Sequence, residues 1–421
     1  MLQCSKSRHN AAVQQVCADI GLARFNLPHS KRAQGVTVSA RASAEDKLRA
    51  LESGETKPTR KQLLKIASIY RRPLSVFYSA DRPKIVARGE DFRTIAGEIA
   101  PEDAAILDAL LRDIRVRQDM VRALLEDDDD VRRLGYVGSM TIAEPVATAA
   151  DIVRSILGLP DGPPAVHGRD AAAELFSALR ARVEAAGVFV ILVGNLGSHH
   201  TNISERVFRG FAIADDLAPF IVINDQDANA ARSFTLIHEL VHILVGSTGV
   251  SAAPSTVTPA TPLARIERFC NDVAGEFLLP EASILNIGPL DTMQAMTTAI
   301  NALSEERGVS QAMVAYRFWR TGRIDADAYR ELFAMFAARW QRMRDRVRER
   351  AREEEVNGPS YYVVRKHRLG NALLGLVGRT LRANELTHTK AAKVLGVKPS
   401  SVEPLLSGVP SVDGPHASGR G

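Results

Sequence analysis

Cysteine is scarce in this chain. Cys4, Cys17 and Cys270 are the three among 421 residues, an odd number without paired spacing, which argues against a secreted disulfide framework and predicts a reducing compartment. Zinc-ribbon spacing is also missing. Long apolar runs are lacking too: the longest, such as 187–194, are strand-sized, far short of the roughly 18 residues that cross a bilayer. The opening MLQCSKSRHN has basic residues but no apolar core followed by a small-residue cleavage site, so export is not expected. Excess charge of one sign is small, with 54 Lys plus Arg against 49 Asp plus Glu and a net +5. A field that weak gives no general attraction to nucleic acid, so any DNA contact has to be local. No fixed-period repeat is present. These absences predict a cytoplasmic protein with no membrane partner.

The composition that remains is that of a globular protein, 45% hydrophobic and 24% charged, which suffices to bury a full core. At about 150 residues per domain, the length predicts two to four folded units. Residues 1–36 show no clean period. A short helix is expected over 43–54, closed by Gly54, and a second over 59–70 after a turn at 56–58. Short helices joined by tight turns suggest a DNA-binding type of module. A long helix over 104–125 runs into the acidic stretch 126–130, read as a solvated helix end. Another helix over 147–157 is cut by Pro160, Gly162, Pro163 and Pro164, the expected domain boundary.

Beyond that boundary, helix and sheet alternate. A helix is expected over 170–186 and strands over 188–193, 206–214 and 220–224, followed by a helix over 233–245. The Pro/Thr/Ser-rich loop 251–262 then leads to a helix over 263–279 stopped by Pro280. The remainder reads as helical, including the charged 339–355 and a helix-Gly-helix pattern over 389–400, up to a Gly/Ser/Pro-rich tail from 408.

The central chemical signal is His238-Glu239-Leu240-Val241-His242, an HExxH pattern inside an amphipathic helix. Four residues turn a helix by about 400° and raise it about 6 Å, so both imidazoles occupy one face and can share a metal. Glu239 sits about 100° away, where its carboxylate can act on water as a general base without binding the metal. Two imidazoles and a carboxylate buried on an apolar helix would cost several kcal/mol without partners, and a metal supplies the partner. Zinc is the leading cofactor because it takes two His and a carboxylate and keeps a fourth position open. A third ligand is then required. Glu267, 25 residues past His242 and beyond a loop long enough to turn the chain back, is the choice. Asn271 lies one turn later to steady a ligand, and Asp272 and Glu276 are the rivals. Cys270 reads as a packed thiol. His199, His200 and Tyr316 are open candidates for holding a developing oxyanion.

These residues resemble the ImmA/IrrE family of metallopeptidases, which pair an HExxH zinc domain with helix-turn-helix units. The resemblance covers Phe211-Ala212, 219–224, the block Arg232 to His242 (RSFTLIHELVH) and Ile266 to Pro280 (IERFCNDVAGEFLLP). In the family's second motif, a Glu followed by a small residue and Asn at the third and fourth positions carries the third zinc ligand, which maps onto Glu267. Two departures stand out. Cys270 replaces the usual Ala, and Val273-Ala274-Gly275 stands where an aromatic followed by Ala is more common. Upstream, 48–78 looks like the second half of a Cro/C1-type (XRE) helix-turn-helix with its connector, and Asp91-Phe92-Arg93-Thr94 is similar to a segment between the domains of larger members. Lys47, Arg49, Lys57, Arg60 and Lys61 are the charges available there for phosphate contacts.

The resemblance implies an α+β, mostly helical protein. Its expected parts are a helix-turn-helix-like module at 1–85, a helical connector at 86–160 and a zincin-like peptidase domain at 161–335, with a small sheet and the HExxH helix. A helical C-terminal region with a second helix-turn-helix-like segment follows at 336–407, then a disordered tail at 408–421. The implied function is zinc-dependent cleavage of a regulatory protein, a repressor of the XRE type, with DNA as a possible partner. The alternative is a DNA-binding regulator whose zinc site is structural or vestigial.

Overall fold

The computed structural model describes residues 56, 58–69, 74–78, 101–128, 131–168, 170–196, 201–251, 261–353 and 360–407. The expectations for 1–36, 43–54, 91–94 and the tail from 408 lie outside the described residues, as do Lys47, Arg49, Lys57, His199 and His200. No described helix is long and apolar enough to cross a membrane.

The chain divides into two compact units, one of 1–87, 99–113 and 197–201, the other of 88–98, 114–196 and 202–421. In the first, α1 (Arg60–Ile69) starts after Thr59, whose hydroxyl accepts from the Gln62 N–H at 3.3 Å, and packs against a short 3-10 helix, Leu74–Tyr78. Leu63 and Ala67 are buried, whereas Arg60 and Lys61 are exposed. The long helix α2 (Pro101–Glu126) gives its first half to this unit and the rest to the other.

The larger unit is mostly helical around one small sheet. After α3 (Val146–Leu157) and α4 (Ala171–Ala185) come β1 (Phe189–Leu192), β2 (Gly210–Ile213), β3 (Phe220–Ile223), α5 (Asn229–Val245), β4 (Gly249–Ser251) and α6 (Pro262–Leu278). The sheet order is β1-β3-β2-β4, with β1 parallel to β3 and the other pairs antiparallel. Strands β1 (FVIL) and β3 (FIVI) are apolar throughout and buried throughout, as parallel strands covered on both faces are. Val190, Leu192, Ala212, Ile221 and Ile223 join Leu236, Ile237 and Leu240 of α5 in one core. Strand β2 is shorter than the expected 206–214 because Val207 and Phe208 donate their N–H groups back to the Ser204 carbonyl and form a turn. Helix α3 shares the same core through Ala149, Ala150 and Val153 and packs across α6, although the expected boundaries place it in the connector.

Helices α7 (Glu281–Leu285), α8 (Met293–Arg307), α9 (Gln311–Arg320) and α10 (Ala326–Glu353) follow. The last four α-helices among the described residues, α11 (Tyr361–Leu369), α12 (Asn371–Arg382), α13 (His388–Leu395) and α14 (Val402–Leu406), form a small group, with α11 and α12 against β1. Gly396, at φ 61°, closes α13 and makes the expected helix-Gly-helix turn. A buried ion pair fixes the group in place. Arg180 and Glu184 of α4 lie 2.9 Å apart, Arg180 donates to the Val190 and His367 carbonyls, and Glu184 accepts the Asn371 and Ala372 N–H groups that open α12. Gly370, at φ 81°, passes so close that a Cβ there would meet Glu184 Oε1 at 2.2 Å.

Candidate metal centre

Helix α5 ends where Gly246 takes a left-handed conformation (φ 77°) and caps the His242 and Ile243 carbonyls. Helix α6 begins at Thr261, whose hydroxyl accepts the Ala264 N–H at 3.1 Å, with Pro262 in the first turn. The two helices pack face to face. Apolar residues on both, including Leu240, Val241, Val273 and Phe277, bury the contact. That packing brings polar side chains of each helix into a dry interior: His238, Glu239, His242, Glu267 and Asn271 are all at most 8% exposed.

Three donor atoms converge there. His242 Nε2 lies 2.9 Å from Glu267 Oε1 and 3.1 Å from His238 Nε2, and His238 Nε2 lies 3.6 Å from Glu267 Oε1. A tetrahedral ion with bonds of about 2.0–2.1 Å sets neighbouring donors about 3.3 Å apart, so the three spacings fit zinc. Burial pushes the Glu267 carboxyl up, but the charge and hydrogen bonds of His238 and His242 outweigh it and hold the group at about 2. Burial likewise disfavours the His238 cation, yet Glu267, then Glu239 and Asn271, raise its pKa overall. Among the described residues, His238, His242 and Glu267 are the one group of such side chains able to hold a metal ion. The donor set is nitrogen, nitrogen and carboxylate oxygen, the mixture that zinc accepts.

The two rivals for the third ligand are committed elsewhere. Asp272 accepts the Tyr316 hydroxyl at 2.6 Å and both ends of the Arg320 fork at 2.6 Å, and Glu276 pairs with Arg317. Tyr316 is therefore tied to Asp272, with burial as the main cause holding its hydroxyl well above its ordinary pKa. Gly275 makes room for the Arg317 stem, since a Cβ would meet Arg317 Cδ at 2.5 Å. Cys270 is a fully buried free thiol in the core, pushed well above its usual pKa chiefly by burial.

Residues 191–318 match the family model of the IrrE N-terminal-like domain, peptidase M78. No curated protein and no solved structure matches the chain. The M78-type segment begins within β1 and ends within α9, so it spans β2, β3, β4, α5, α6 and all three converging donors. It supports a metallopeptidase type of activity and a protein substrate.

Two residues of this segment escaped the sequence reading. Ser247 Oγ lies 3.2 Å from His242 Nδ1. Gly210, the first residue of β2, lies against Glu239: a Cβ there would meet Glu239 Oε1 at 2.7 Å and Thr235 Cγ2 at 2.7 Å. Only a residue without a side chain lets the strand approach α5 this closely. Gly210→Ala is expected to push the Glu239 carboxylate aside and cut hydrolysis by on the order of 10²-fold, as displacements near 1 Å do, while the zinc content per chain stays unchanged. Parallel peptidase assays and metal analysis of this variant check it, and unimpaired hydrolysis would mean that the close approach does not position Glu239.

Proposed function

We propose that the chain is a zinc-dependent endopeptidase whose zincin-like domain cleaves a regulatory protein, a transcriptional repressor of the XRE type. The observation that carries the reading is the near-tetrahedral spacing of His238 Nε2, His242 Nε2 and Glu267 Oε1, with Glu239 on the same helix. His238, His242 and Glu267 would hold the ion, and Asn271 would steady His238. Zinc, when bound, supplies Lewis acidity that polarises a scissile carbonyl and makes water acidic near neutral pH. Glu239 then takes the proton of the attacking water and passes it to the leaving amine. Its 0% exposure keeps that carboxylate in a dry, low-dielectric setting where proton transfer is strongly directed.

The same proposal gives the N-terminal module a DNA-docking part, with the exposed Arg60 and Lys61 of α1 among its phosphate contacts. A regulator with a purely structural zinc site would fill the fourth position with another protein ligand and would have no use for a carboxylate beside it. Glu239 therefore favours catalysis. The test is to incubate the full chain with repressor-like proteins encoded near it. Expected are discrete cleavage products that vanish with a chelator and return with Zn²⁺. Cleavage indifferent to the chelator, or a chain that takes up no zinc, would overturn the assignment.

A further inference from the structure

Helix α5 does not end at the metal-facing histidines but one turn later, in a closure built from two glycines. A Cβ on Gly246 would meet Gly138 Cα at 3.1 Å, so the two backbones touch. Gly138 donates its N–H to the Ile243 carbonyl at 3.1 Å and Met140 donates to Leu244 at 2.9 Å. The upstream segment thus gives Ile243, already capped by Gly246, a second donor and satisfies the Leu244 carbonyl at the helix end. Ser247, just past this lock, is bound twice to His242. Its N–H donates to the His242 carbonyl at 2.9 Å, and its Oγ lies 3.2 Å from the ring Nδ1. The residue is 7% exposed, so water competes little for that hydroxyl.

The ring atom facing Glu267 and His238 is Nε2. A histidine that gives the Nε2 lone pair to a metal carries its proton on Nδ1, and the acceptor of that proton fixes both tautomer and ring rotation. We propose that Ser247 is the positioning residue of His242, its Oγ accepting the Nδ1 proton so that Nε2 is aimed at the ion before the ion arrives. This rests on the zinc reading above. Thr248 gives an internal comparison: its Oγ1, one residue further along the same loop, accepts the Ala214 N–H at 3.0 Å and ties the loop to the end of β2 instead of to a donor.

The experiment measures Zn²⁺ affinity of the full chain by competition with a chromophoric chelator, together with thermal melting of the metal-free forms. Wild type should bind one Zn²⁺ per chain; if it binds none, the zinc reading itself fails, independently of Ser247. Given wild-type binding, Ser247→Ala should weaken affinity about 10- to 100-fold, the usual loss when such a partner of a ligand is removed. Ser247→Thr, which keeps the hydroxyl, should restore it to within about threefold. Thr248→Ala should lower the melting temperature of the metal-free chain but leave Zn²⁺ affinity unchanged. An unchanged affinity in Ser247→Ala, or an equal loss in Thr248→Ala, would overturn the proposal, because the hydroxyl would then matter only to the loop.

Discussion

Glu239→Gln is expected to remove peptide hydrolysis, by about 10²- to 10⁴-fold in kcat, while leaving one Zn²⁺ on each chain. The expectation follows from position. Glu239 follows His238 directly, about 100° round the helix from it, and its carboxylate is pressed between α5 and Gly210 of β2, outside the trio of converging donors. The amide has nearly the same shape, so it occupies the same gap and leaves the packing of β2 against α5 intact. What it loses is basicity, and general-base catalysis contributes about that factor. The measurement pairs turnover on a cleavable protein substrate with metal analysis of the same sample. Hydrolysis that persists at the wild-type rate removes Glu239 from the mechanism. Loss of zinc alongside activity would mean that the carboxylate belongs to the metal's own ligand set.

His242→Ala is expected to take zinc from about one per chain to almost none and to destabilise the metal-free protein as well. His242 is the hub of the cluster, in reach of both other donors and fully buried. Without it, two donors 3.6 Å apart remain, one short of the three protein ligands a catalytic zinc site needs. Removing one partner of a buried charged pair costs about 3–5 kcal/mol, and Glu267 keeps only His238. The pH dependence has a definite sign. The folded Glu267 carboxyl is held at about 2, below its ordinary 4.5. The stability it contributes is therefore complete above the ordinary value and lost as pH falls from there through about 2. With His242 gone, the depression shrinks and the acid-unfolding midpoint of the metal-free chain should move to higher pH. Metal analysis after desalting and acid titrations followed by circular dichroism read both effects. Stoichiometric zinc in this variant would sink the ligand assignment.

Much of this arrangement was legible in the sequence because it is carried by local periodicity. The HExxH spacing places two imidazoles on one face of α5 from the geometry of a helix alone. The Pro-rich loop and Thr261-Pro262 start mark α6, and Pro280 marks its end. Choosing Glu267 over Asp272 or Glu276 is different. All three lie on α6, and what separates them is Tyr316, Arg317 and Arg320, 41 to 48 residues later, which engage the two rivals. Gly210 and Ser247 escaped for the same reason, since an isolated glycine or serine has meaning only once the opposite backbone or ring is in place. Strand β4 is three residues long, too short for alternation to register. The expected strand over 206–214 loses its first half to a turn held by backbone bonds to Ser204, which no side-chain pattern announces.

The fastening of α11 and α12 beside β1 has a consequence for how the chain behaves among its neighbours. β1 is a border strand of the sheet, short and wholly apolar, the kind of rim that recruits foreign strands and seeds aggregates when left bare. With Arg180 plugging the Val190 carbonyl and α11 and α12 laid alongside, that rim is covered by the chain's own helices. The C-terminal helices are in this sense a bumper for the hydrolase core as much as an appendage to it.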